Sequence, residues 1–388
     1  MSLKVGTKEI VLNYQKIRSY TEEICKPLST EDYVPQPMEN VSPPKWHLAH
    51  TTWFFEQFIL VPNKTGYTVF DEDFGYLFNS YYNHFGERLL RPNRGLMTRP
   101  SVEKVYEYRE YVNKHIEEFF ENGGDQELHN LLEIGLNHEQ QHQELLVYDI
   151  KFILGFQPTF PVYGDSFETE EERDTSWIQL EEGVYEIGAK NGFCFDNEKP
   201  RHKTYCHNVA LRNTLVTNGE FLDFIKEGGY QNHELWLSEG WDFIQENEIQ
   251  QPLYWHKKDN QWFNYTLGGL KPLNLNLPVQ HVSLYEAMAF AEWKGCRLPT
   301  EAEWELLADQ LNWGQLWEWT NSAYLPYPGY NKEPGALGEY NGKFMVNQHV
   351  LKGASFATSE GHSRKTYRNF FHAQERWIFS GIRLAKSL

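Results

Sequence analysis

The sequence predicts an α+β protein in two parts: a four-helix bundle, then a domain of short strands and short helices. Three observations predict it. At 388 residues the chain is longer than one ordinary core accommodates. Its first 156 residues hold four long runs with apolar residues at helical spacing. After Trp177 the texture changes to short alternating segments broken by Gly, Asn and Pro.

The bundle is read in chain order. Lys8 to Ile24 carries the first helical pattern, and Trp46 to Leu60 follows the start signal Ser42-Pro43-Pro44. Ser101 to Phe120 begins after Pro100 and repeats Val102, Val105, Tyr108, Val112 and Ile116. Glu127 to Leu154 follows the breaker Gly123-Gly124-Asp125 and is the longest run. Short connections would make these an up-down bundle, but Val61 to Arg99 is long and rich in Tyr, Phe, Asn and Arg. A long aromatic loop in a compact domain points to function.

Residues 1–156 are therefore assigned to the bundle, 157–175 to a linker and 176–388 to the second domain. The linker holds Pro158, Pro161 and Gly164, then the acidic run Glu168 to Glu172. In the second domain, Gly183 to Gly188 alternates as a strand does. Thr217 to Glu227, Ser283 to Lys294 and Thr300 to Ala308 read as helices. The regular βαβ alternation of a doubly wound sheet and any tandem repeat are absent.

Composition narrows the function. A formal net charge of −18 excludes binding nucleic acid through a general basic field and favours small polar or cationic ligands. With 13 Trp, 23 Tyr and 25 Phe, rings suffice for two cores and for a pocket wall. No apolar stretch is long enough to span a membrane, and Met1 to Tyr14 lacks a signal-peptide core. The four cysteines, Cys25, Cys194, Cys206 and Cys296, form no C-x-x-C pair, so a reducing cytoplasm is expected.

The strongest chemical signal is Asn137-His138-Glu139-Gln140-Gln141-His142. At i, i+4 on a helix, His138 and His142 project from one face and can share a metal ion. The pattern is also H-E-x-x-H, in which Glu139 would act as general base beside zinc. A third ligand is offered by Trp46-His47-Leu48-Ala49-His50, where His47 and His50 lie i, i+3. Facing helices of a bundle commonly build such a site, and imidazole suits Fe, Zn and Cu alike. A lone helical histidine, such as His84 or His115, is more often a surface or satisfied core group.

His47-Leu48-Ala49-His50-Thr51-Thr52-Trp53-Phe54-Phe55-Glu56, with His138 to His142, resembles the DinB-like domain of ergothioneine-biosynthesis sulfoxide synthases. Val282 to Ala289, Arg297 to Glu305, Trp317 to Thr320 and Gly381 to Ala385 resemble the formylglycine-generating, sulfatase-modifying-factor domain, a C-type-lectin-like fold. The resemblance implies an iron(II) enzyme that uses O₂ to join a thiol to the imidazole C2 of hercynine (Nα-trimethylhistidine). It maps the iron ligands onto His50, His138 and His142, leaving His47 a structural role. It places Gln141 at the substrate imidazole, and Asn369 and Phe370 at the trimethylammonium and carboxylate end, where an aromatic face attracts a quaternary ammonium.

Members that take γ-glutamylcysteine carry an acidic residue where this chain has Phe371, so the resemblance favours cysteine as donor. Arg88, Arg91 and Arg94 are candidates for the donor carboxylate. Tyr81 and Tyr82 are candidate proton donors, with Tyr330 as a further phenol. True formylglycine-generating enzymes need two cysteines in the C-terminal part. The matching stretch here, Gly353 to Ser359, has none, which argues against sulfatase activation and leaves that domain as a lid and binding wall. Ovothiol-type or selenoneine-type synthesis and zinc hydrolysis are the rival readings.

Overall fold

The computed structural model describes residues 2–80, 88–121, 123–165, 167–333, 338 and 341–388. The chain divides into two compact units, Met1–Tyr163 and Gly164–Leu388.

All four expected long helices form in the first unit. They are α1 (Ser2–Cys25), α2 (Pro44–Phe55), α5 (Val102–Glu121) and α6 (Gln126–Gly155). Their ends follow local chemistry. Pro44 sits in the first turn of α2, where no N–H is needed. The Asp125 carboxylate accepts the Leu128 N–H at 2.9 Å and caps α6.

Helix α2 is the centre of the unit. Every residue from Pro44 to Phe55 is buried, so no polar stripe marks it, and α5 and α6 pack on it. Gly135 lets α6 come close: a Cβ there would lie 2.6 Å from a Phe55 ring carbon and 2.9 Å from one of Phe54. This approach occurs one turn before His138.

Two details differ from the sequence reading. Helix α2 does not continue as α-helix to Leu60; it opens into a π-turn over Glu56–Leu60, followed by α3 (Val61–Asn63). The π-turn begins at buried Glu56, whose carboxylate accepts the Tyr67 and Tyr108 hydroxyls at 2.7 and 2.6 Å and the Phe70 amide at 3.1 Å. The long connection also contains α4 (Phe74–Leu77) and a 3₁₀ turn, Arg91–Leu96.

The second unit is built from small sheets. Strands β1 (Trp177–Leu180), β4 (Val209–Arg212) and β12 (Ala385–Ser387) form one in the order β1-β4-β12. A four-stranded sheet runs β10-β9-β8-β11, from β8 (Trp317–Ala323), β9 (His349–Gly353), β10 (Asn369–Phe371) and β11 (Ser380–Gly381). Only its β8–β11 pair is parallel. Strands β2 (Gly183–Ile187) and β3 (His202–Cys206) make a hairpin. Strands β5 (Trp255–Lys258), β6 (Gln261–Thr266) and β7 (Gly269–Pro272) make a meander.

The expected helices are α7 (Asn218–Lys226), α9 (Leu284–Trp293) and α10 (Glu301–Leu307). Each opens with a capping box: Thr217 with Glu220, Ser283 with Glu286, Thr300 with Glu303. Helix α8 (Ser238–Glu246) joins them. Trp304 of α10 packs with Leu180, Val209, Leu211 and Ala385 in the core under the first sheet. Behind it the Arg383 guanidinium binds the Glu318 carboxylate through two bonds, at 2.5 and 2.7 Å.

Candidate metal centre

Three histidines converge inside the first unit. His50 comes from α2, and His138 and His142 from successive turns of α6; all are buried. One ring nitrogen from each lies within 4.8 Å of the other two. The ring centroids are 5.0 Å apart for His50–His138, 4.8 Å for His50–His142 and 4.6 Å for His138–His142. Ligand atoms about 2.1 Å from one ion stand roughly 3–3.5 Å apart, so small ring rotations would close this set on a cation.

Burial sets the charge of the rings. It pushes His138 down to about 3 and holds His50 and His142 well below the usual imidazole range, with the neighbouring imidazoles adding to the effect. All three are therefore neutral near pH 7, the form that binds a metal.

The His50 tautomer follows from its partner. Its Nδ1 lies 2.6 Å from the Phe78 carbonyl oxygen, which can only accept, so Nδ1 carries the proton. Nε2 then keeps its lone pair. It is buried and, among the described residues, makes no hydrogen bond. An orphaned lone pair facing two neutral imidazoles fits a transition-metal cation. Trp46 lies flat on the His50 ring, 4.4 Å between centroids, and the Arg94 guanidinium covers the other indole face at 3.4 Å.

Glu139 is differently placed. Its carboxylate accepts Arg18 Nη1 at 2.8 Å, Thr21 Oγ1 at 2.6 Å and Arg109 Nη2 at 3.2 Å. Burial alone would raise its pKa, but the two guanidinium groups hold it below the ordinary carboxylate value. It is a charge-paired core group whose two carboxylate oxygens are both taken up by donors.

The other residues singled out in the sequence fall as follows. His47 lies 2.9 Å, Nδ1 to Nδ1, from His142, and its Nε2 is 2.8 Å from Asp149. Gln141 is half-buried on α6 between the two ligand positions. Arg94 is buried and donates to the Ser42 and Ser80 hydroxyls, at 2.8 and 2.9 Å. Exposed Arg91 and Arg88 donate to the carbonyls of Asn40 and Ser80. Tyr81, Tyr82 and His84 lie outside the described residues. In the second unit, Asn369, Phe370 and Phe371 form β10, and Phe370 stacks on Tyr324 with centroids 4.1 Å apart. The Phe371 ring meets Trp377 edge-on at 6.0 Å. The Tyr330 hydroxyl donates to Asp196 at 2.8 Å.

Sequence reasoning missed Trp46, Phe78 and Asp149, which hold the imidazoles. Trp46, one turn before His50 on α2, and Asp149, two helical turns beyond His142 on α6, left a trace in their spacing; Phe78 left none.

Comparison with known proteins agrees with this two-part organisation. Residues 163–310 and 307–388 match the sulfatase-modifying factor enzyme 1-like domain, more than half of the chain. The chain belongs to that family. Residues 13–146 of this family member match the DinB superfamily. It is 30% identical over 239 residues to a hercynine oxygenase of Mycobacterium tuberculosis, covering 49% of this chain and 55% of that protein. It is 28% identical over 232 residues to ergothioneine biosynthesis protein 1 of Schizosaccharomyces pombe, covering 50% of this chain and 28% of that one. An inactive C-alpha-formylglycine-generating enzyme 2 of Bos taurus is 28% identical over 182 residues, 43% of this chain and 56% of its own length. The chain thus spans about half the length of the first relative. No described helix is long and apolar enough to cross a membrane.

Proposed function

We propose that this chain is an O₂-dependent sulfoxide synthase of the hercynine-oxygenase kind, with iron(II) held by His50, His138 and His142. The observation that carries the reading is the convergence of three buried, neutral imidazoles from two helices, with no carboxylate or thiolate among them. Relatives named hercynine oxygenase and ergothioneine biosynthesis protein support it. Iron bound there would supply the activation of dioxygen on which the reaction draws.

The overall chemistry balances as follows. The imidazole C2–H and the thiol S–H break and a C2–S bond forms. One oxygen atom joins the sulfur and the other leaves as water. O₂ accepts four electrons: two from C–S coupling, two from oxidising the sulfur. The protein's part is to orient the substrates and limit stray oxidation. In this reading Gln141 faces the substrate imidazole, Asn369 and Phe370 recognise the trimethylammonium end, and Arg91 with Arg94 serves the donor carboxylate. Tyr81 or Tyr82 supplies a proton. The apolar Phe371 favours cysteine over γ-glutamylcysteine.

Zinc hydrolysis through H-E-x-x-H lacks its base, because Arg18, Arg109 and Thr21 occupy the Glu139 carboxylate. The decisive assay loads the protein anaerobically with iron(II), adds hercynine with cysteine or γ-glutamylcysteine, and then admits O₂. Oxygen uptake and a sulfoxide product by mass spectrometry are expected, with cysteine the better donor. Histidine in place of hercynine, or a selenium donor, tests the ovothiol and selenoneine readings. No oxygen uptake with any pair would overturn the proposal.

A further inference from the structure

Behind His142 lies a buried relay that the reaction itself does not require. The His142 and His47 Nδ1 atoms face each other at 2.9 Å, and His47 Nε2 lies 2.8 Å from Asp149 Oδ2. His47 and Asp149 are both buried. Two facing ring nitrogens make a hydrogen bond only if one carries a proton and the other does not. Which one does is set at the far end. Asp149 Oδ2 already accepts the Ser42 backbone N–H at 2.8 Å, so it faces donors and accepts from His47 Nε2 as well. As a carboxylate, Asp149 can only accept, and its Oδ1 has no hydrogen-bond partner among the described residues. The carboxylate therefore sets the direction of the relay.

With its one proton on Nε2, neutral His47 offers a lone pair at Nδ1. His142 must then carry its own proton on Nδ1, which leaves the His142 Nε2 lone pair free. The Phe78 carbonyl imposes the same tautomer on His50. Groups that accept a metal-binding histidine's second N–H typically change metal affinity 10–100-fold.

We propose that His47 and Asp149 are positioning residues that hold His142 in its metal-binding tautomer before any metal arrives. This rests on the three-histidine cluster being a metal centre, but not on which metal or reaction it serves. The test uses Co²⁺ binding to the full chain, read by chelator competition and by the visible spectrum of the bound ion. The unchanged chain should bind one equivalent, and His138→Ala should abolish binding. His47→Ala and Asp149→Ala should weaken it about 10–100-fold and alter the spectrum. Asp149→Asn should lose less, under about tenfold: the Ser42 N–H orients the amide oxygen toward His47, so the tautomer survives and only the charge is removed.

Wild-type affinity and an unchanged spectrum in folded His47→Ala and Asp149→Ala would overturn the inference, whatever the variants do to melting temperature. If the alanine variants do not fold, the near-isosteric Asp149→Leu, which removes the acceptor facing His47 Nε2, carries the test, and an unchanged affinity and spectrum there overturns it. No metal uptake by the unchanged chain would overturn the metal-centre reading and this inference with it. Metal binding that follows the predicted order without oxygen uptake would support the relay and sink only the proposed reaction.

Discussion

Two buried polar clusters share helix α6 at neighbouring positions, and they are built on opposite rules. Around Glu139 every strong donor meets an acceptor: Arg18 and Arg109 bind the carboxylate, and Thr51 and Thr52 take further guanidinium N–H groups. Around His138 the rings are neutral, and at least one lone pair, His50 Nε2, has no hydrogen-bond partner among the described residues. The first cluster is closed and holds four helices together; the second leaves ring nitrogens of three histidines turned toward one another. Burial of polar groups alone does not mark a site. What marks it is burial with acceptors left facing one point.

The sharpest break of this contrast is a pair of volume-conserving substitutions. Glu139→Leu strands two buried guanidinium groups and should cost about 3–5 kcal/mol in urea unfolding. His138→Leu strands no charge; it should cost less than about 1.5 kcal/mol in the metal-free protein while abolishing metal uptake. The reverse ranking would mean that the histidine cluster is the structural one.

A smaller effect is expected at the helix crossing that brings the two histidine-bearing helices together. Gly135→Ala drives a methyl into Phe54 and Phe55 and should cost about 1–3 kcal/mol by the same unfolding measurement. It should also weaken metal binding by spreading α2 from α6. Unchanged metal affinity would show that the site tolerates a wider crossing.

The mildest test lies further along α6. Burial pushes the Lys151 ammonium down to about 7 from its ordinary 10.5. The unfolded chain binds that proton more tightly across pH 7 to 10.5, so stability should rise with pH through this window. Lys151→Met should remove this slope, raising stability at pH 7 by about 1–3 kcal/mol with little gain near pH 10.5. Parallel pH–stability curves for the two proteins would contradict it.

Much of this was legible in the sequence. The four bundle helices announced themselves by apolar spacing and start signals, α7 and α9 by their amphipathic pattern and α10 by its place after Pro299. Helix α8 escaped because Leu237 precedes it and no side chain caps it. The i, i+4 spacing brought His138 and His142 to notice because their relation is local. That Arg18 would meet Glu139, 121 positions away, or that the Phe78 carbonyl would meet His50, depends on how separate segments pack. Local pattern carries no trace of such pairings. The end of α2 was misread for a similar reason: the π-turn starts where Glu56 meets donors from two other segments.

The bond between His50 and the Phe78 carbonyl has a thermodynamic corollary. Phe78 directly follows α4 in the long connection between α2 and α5, so the order of that segment and the readiness of His50 are linked equilibria. By reciprocity, loading the centre must steady the backbone around Phe78 by the same free energy with which that backbone favours loading. Amide exchange there should slow on metal uptake, which makes the connection a reporter of occupancy.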